Sequence, residues 1–220
     1  MSEMDEFGGM DLEDRGGRHD YDYGDQAHVP ASAGLTPSQT VGPFFAYGLT
    51  PGPYGYDFPE IHNTKLAGKD VSGDRIVLSG QVFDGQGTPI HDAMIELVQA
   101  DAHGAFVTEP RNDGFTGFGR CGTGADGPDG ARSYRFETIR PGATAPDAAP
   151  GFTLIVTMRG LLNHMITRAY LPEGPLESDP ILSQVPEARR HTLIAQPDGP
   201  GAYRFDIHMQ GPDETVFFDL

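Results

Sequence analysis

Residues 75–83 read RIVLSGQVF and residues 93–100 read AMIELVQA. In the first stretch apolar and polar side chains alternate with a period of two, as they do on a half-buried strand. In the second, Met94, Glu96 and Val98 face one way and Ile95, Leu97 and Gln99 the other. The intervening DGQGTP, residues 84–89, is a cluster of turn formers. Two short strands parted by a glycine- and proline-rich turn set the grain of the chain.

The same grammar continues outward. SYRFETI at 133–139 is a third strand, stopped by Pro141 and Gly142. GFTLIVTM at 151–158 is apolar and β-branched throughout, which suits a central strand. HMITRAYL at 164–171, YRFDIHM at 203–209 and TVFFDL at 215–220 follow. One helix is expected near 179–190, with Ser178 or Asp179 as its cap and Pro180 in its first turn. Pro186 would break it into two pieces or kink it. The long segment 106–132 reads mostly as loop, and loops of that length are usually functional or interfacial. At least seven short strands between turns predict a mainly β fold, a β-sandwich with long loops and one or two short helices.

Charge and composition narrow the function. The chain carries a formal charge of −17, which argues against a nucleic-acid partner. Nine acids face two arginines within residues 1–30. That stretch has no apolar periodicity, so residues 1–33 are expected to be a disordered acidic extension ahead of one domain spanning 34–220. No apolar run is long enough for a membrane helix, and no basic-then-apolar leader opens the chain. The single cysteine, Cys121, cannot close an internal disulfide and reads as a small residue in a glycine-rich turn. A cytoplasmic protein that avoids membranes is the expectation.

Local sequence assembles no catalytic centre. The eight histidines, among them His164 and His208 on expected strands, include no pair at i, i+2 or i, i+4. No nucleophile elbow or phosphate-binding glycine loop is present. Residue chemistry alone reaches an acidic β-sandwich and no further.

Motif order goes further. LTPSQTVGPFF (35–45), SGQVFDGQGTPIHDAMIELVQADAHGAF (79–106), FGRCGT (118–123), YRFETIRPG (134–142), MRGLLNHMITRAYLP (158–172) and YRFDIHMQGPDETVFFDL (203–220) occur in sequence. Together they resemble the intradiol ring-cleavage dioxygenases over residues 35–220, with 79–106 similar to that family's first hairpin. The last two resemble the α-type chains of its two-chain members. The family opens a catechol ring with dioxygen at an iron(III) ion held by two tyrosines and two histidines. At the corresponding positions this chain has Phe106, Thr144, Phe152 and Leu154, none of which can ligate ferric iron.

The resemblance therefore implies a chain without iron ligands of its own. Its β-type partner would hold the iron(III), with protocatechuate and dioxygen meeting in a shared site, and αβ pairs would form a higher oligomer. It further implies that Thr40, Gly42, Pro43 and Arg159 reach that site: a hydroxyl, a rigid backbone wall and a guanidinium for substrate. The same residues fit a plain assembly role, as an N-terminal arm and an interface salt bridge. Phe106, Phe152 and Leu154 then read as core. A scaffold module that lost catalysis, and a self-sufficient dioxygenase, are the competing readings.

Overall fold

A computed structural model describes residues 44–124 and 132–219. Among the described residues nine strands form two sheets. The first runs β4 (Ser133–Ile139), β1 (Arg75–Phe83), β8 (Ala202–Arg204), β7 (Gln196–Pro197), with β9 (Ile207–His208) on the far half of β1. The second runs β3 (Phe118–Gly122), β2 (Met94–Val98), β5 (Gly151–Thr157), β6 (Met165–Tyr170), each neighbour antiparallel. The expected sandwich is present, and β1 and β4 have the boundaries their alternation predicts. The expected first hairpin is not a hairpin: β1 pairs with β4 and β2 with β3 and β5, so residues 84–93 cross from one sheet to the other.

Alternation explains where the core sits. On β1, Ile76, Leu78 and Val82 point inward; on β5, Phe152, Leu154 and Val156 do; β2 adds Ile95 and Leu97, and β4 adds Tyr134 and Phe136. All are buried in one cluster between the sheets. Each such side chain contributes about 1.5–3 kcal/mol on burial, and most of the fold's stability lies in this layer.

The strand expected at 203–209 is two strands, for a packing reason. A Cβ on Gly80 would lie 1.9 Å from the Phe205 carbonyl oxygen, so only glycine allows Phe205 to press against β1. Phe205 N donates to Ser79 O at 2.8 Å, and the next ladder position is taken by a side chain, with Gln81 N donating to Asp206 Oδ1 at 2.9 Å. The buried Tyr134 hydroxyl donates to the Phe205 carbonyl and pins this bulge. Tyr134→Phe is expected to cost about 1–2 kcal/mol, read as a lower urea midpoint with an unchanged slope; an unchanged midpoint would mean that the bulge holds without the hydroxyl.

Other expectations change too. Residues 215–219 form no strand beyond one bridge, Phe218 to Ile166. Hydroxyls supplement the backbone bonds there: Thr167 Oγ1 donates to Val216 O at 2.8 Å, and His208 N donates to Thr215 Oγ1 at 2.9 Å. The segment read as loop contains β3, where Cys121 lies on a strand rather than in a turn. Helical structure is fragmentary: a helix α1 at Phe44–Leu49, short 3-10 turns, and α2 at Glu187–Arg190, which begins right after Pro186. The expected helix at 179–190 is accordingly broken, with Asp179 capping its first piece through the backbone N–H groups of Ile181 and Leu182 at 3.0 and 2.8 Å.

Candidate functional site

Arg159 stands two residues beyond the end of β5, before Gly160, whose φ of +87° makes the turn left-handed. Met94 pairs with Thr157 in the β2–β5 ladder, so extending that register by two residues sets Asp92 opposite Arg159. There Arg159 Nε donates to Asp92 Oδ2, and Arg159 Nη2 lies 3.4 Å from His91 Nε2. The Asp92 side chain is only 11% exposed while that of Arg159 is 54% exposed. A fixed carboxylate thus aims a guanidinium whose remaining donors face outward.

Aromatic side chains border this pair. Tyr47 packs edge-on against Tyr54 at 4.9 Å, and Tyr56 lies 5.9 Å from Tyr47 and 6.0 Å from Phe58. Burial pushes the Tyr54 phenol up, as do Asp92 and Tyr47, against the opposing pull of Arg159. Tyr54 therefore belongs to the same electrostatic cluster. Tyr56, Phe58, Ile61 and Leu162 are exposed, an apolar presence of the kind that interfaces use. Thr40, Gly42 and Pro43 lie outside the described residues, as do residues 1–33; Pro43 immediately precedes α1, which carries Tyr47.

The residues at the expected ligand positions do not converge. Phe152 and Leu154 are fully buried between the sheets, as the core reading has it. Phe106 is 55% exposed and is not core. Its loop is held from below by Asp101, whose Oδ1 accepts from His103 N and Ala105 N and whose Oδ2 accepts from Arg111 at 2.7 Å. Thr144 is exposed. His164 precedes β6 in one sheet, while His208 stacks on Phe83 at 5.0 Å in the other. Among the described residues no three His, Cys, Asp or Glu side chains could share a metal. Phe106, Phe152 and Leu154 offer no donor to a ferric ion. Burial pushes the Cys121 thiol up, away from thiolate chemistry. No described helix is long and apolar enough to cross a membrane.

Arg159 stands out in its motif, whereas Asp92, 67 positions away, does not; the β2–β5 register brings the two together.

The dioxygenase family model Dioxygenase_C matches residues 52–160. A solved dioxygenase domain from Streptomyces sp. SirexAA-E superposes with a TM-score of 0.52 at 24% identity, covering 80% of this chain and 98% of that one. The fold is that of the intradiol dioxygenases. The protocatechuate 3,4-dioxygenase alpha chain of Burkholderia cepacia is 48% identical over 197 residues, 84% of this chain and 97% of that one. The beta chain from the same organism is 35% identical over 165 residues, 65% of this chain and 67% of its own. The chain belongs to the protocatechuate 3,4-dioxygenase alpha-chain family.

Proposed function

We propose that this chain acts as the noncatalytic α subunit of an iron(III) protocatechuate 3,4-dioxygenase. It completes a site whose iron is held by a protocatechuate 3,4-dioxygenase β subunit. The reaction adds dioxygen across the two hydroxyl-bearing carbons of protocatechuate to give 3-carboxy-cis,cis-muconate. The observation that carries this reading is the exposed Arg159, clamped by the largely buried Asp92 beside a partly exposed aromatic cluster. A surface arginine free to sample rotamers would lose that freedom on meeting a substrate carboxylate; one already clamped loses less. Thr40, Gly42 and Pro43 are proposed to line the same shared site, and αβ pairs to assemble further. The protein is proposed to work in the cytoplasm.

Iron content, visible absorbance and protocatechuate-dependent dioxygen uptake test the reading, for this chain alone and co-expressed with its β partner. A colourless, inactive lone chain and a coloured, iron-loaded, active pair are expected. Iron and turnover in the lone chain would overturn the division of labour. A stable pair that fails to turn over would leave a scaffold.

A further inference from the structure

The outer face of the second sheet carries a cavity of about 410 Å³ that the proposed function does not use. On β6 the alternation sends Thr167 and Ala169 into the sandwich and Ile166 and Arg168 outward. The segment around residues 181–186 and the C-terminal strand-like tail roof that face. Ile166, Ile181, Val185, Val216 and Phe218 give the cavity apolar walls.

Into this apolar space comes one cation. Arg168 has no hydrogen bond or ion pair among the described residues, and its Nε is buried without a partner. Its guanidinium carbon lies 5.1 Å from the centre of the Tyr170 ring, which lies one alternation further along the same face. Cation–π contact fixes the plane of the guanidinium but satisfies none of its N–H donors. A buried donor on a charged group gains from an acceptor, and an anionic group entering the cavity would supply a stronger one than water does. Thr153, directly across the β5–β6 ladder from Arg168, lines the same space and adds a hydroxyl. The exposed Asp219 is the acid lining the cavity, and it opposes a second negative charge on whatever enters.

We infer that this cavity is a binding site for a small monocarboxylic acid with a single-ring or branched apolar body, its carboxylate paired with Arg168. A space of this size takes a one-ring acid; drug-sized pockets begin at about 300 Å³. Apolar walls with one convergent cation select a molecule that is apolar except at one anionic end. Benzoate is the natural probe; benzamide has the same ring without the charge, and phthalate adds the second carboxylate that Asp219 disfavours.

The test is calorimetric titration of benzoate into the full chain co-purified with its partner subunit, as wild type, Arg168→Gln and Val216→Trp. The second variant fills the cavity and leaves Arg168 in place. Wild type is expected to show a benzoate site that weakens at least about tenfold in Arg168→Gln, the scale of one lost charge-assisted pair. That site is expected to be lost in Val216→Trp and to take benzamide or phthalate at least about tenfold more weakly. Dioxygen uptake is expected to stay at the wild-type rate in both variants. Superimposable benzoate isotherms for wild type and both variants would overturn the assignment. If Arg168→Gln does not co-purify, Val216→Trp decides: unchanged benzoate binding refutes the site and abolished binding supports it.

Discussion

Asp179→Ala is expected to lower folding stability by about 3–5 kcal/mol, the range for stripping a buried charge network of its acceptor. Asp179 is 1% exposed. One carboxylate oxygen accepts from Tyr170 Oη at 2.9 Å, Ile181 N at 3.0 Å and Leu182 N at 2.8 Å; the other accepts from Ala149 N at 2.9 Å. Alanine would leave these donors facing an apolar cluster of Ala149, Tyr170, Leu182, Val185 and Leu193. Asp179→Asn keeps one acceptor but turns an NH₂ toward a donor, so an intermediate loss is expected. Urea unfolding checks both, and a shift below about 0.5 kcal/mol for the alanine variant would show that the donors find water instead.

The same network sets a pH dependence. Burial alone would raise the Asp179 carboxyl, but the bonds from Leu182 N, Ala149 N, Tyr170 Oη and Ile181 N outweigh it and hold the group below the usual aspartate range. A carboxyl depressed in the folded state contributes its full stabilisation above its unfolded pKa of about 3.9. That contribution falls away as pH drops through the lower folded value. The stability gap between wild type and Asp179→Ala is therefore expected to be constant at neutral pH and to narrow below about pH 4.

The strand pattern was legible where one residue pair repeats and no distant contact intervenes. β1 and β4 are of that kind, with buried and exposed positions in strict alternation along β1. The β8–β9 break was not, because it follows from the room above Gly80 and from an Asp206 side chain that replaces a ladder carbonyl. β3 was hidden by its own composition. FGRCG has little intrinsic strand preference and is held by pairing with β2, including Arg120 against Glu96 at 2.5 Å. Phe106 looked like core because phenylalanine usually is, yet a loop tied to Asp101 carries it outward. For the candidate site, Arg159 could be singled out from its motif. Its orientation could not, since that belongs to Asp92 in the crossing segment just before β2.

Arg159→Ala is expected to lower kcat/KM for protocatechuate by about 10- to 100-fold in the assembled complex, the loss of one charge-assisted contact. Arg159→Lys keeps the charge but not the planar fork, so a smaller loss is expected. Asp92→Asn leaves the guanidinium in place and loosens its aim. A positioning residue of this kind is expected to cost a few-fold, less than losing the arginine. The decisive comparison is the double variant. If Asp92 acts only through Arg159, then Arg159→Ala with Asp92→Asn is no slower than Arg159→Ala alone, and the two effects do not add. Dioxygen uptake gives the rates, and size-exclusion chromatography shows whether each variant still pairs with the β subunit. An Arg159→Ala complex that assembles and turns over like wild type would make the arginine a bystander. One that no longer assembles would move its role from the substrate to the subunit contact. Both readings use the clamp differently: a substrate contact needs the guanidinium to point past Asp92 into open space, whereas an interface contact needs the partner to bury it. The 54% exposure of Arg159 beside an 11% exposed Asp92 leaves its outer donors open to either, and only turnover in an assembled variant separates them.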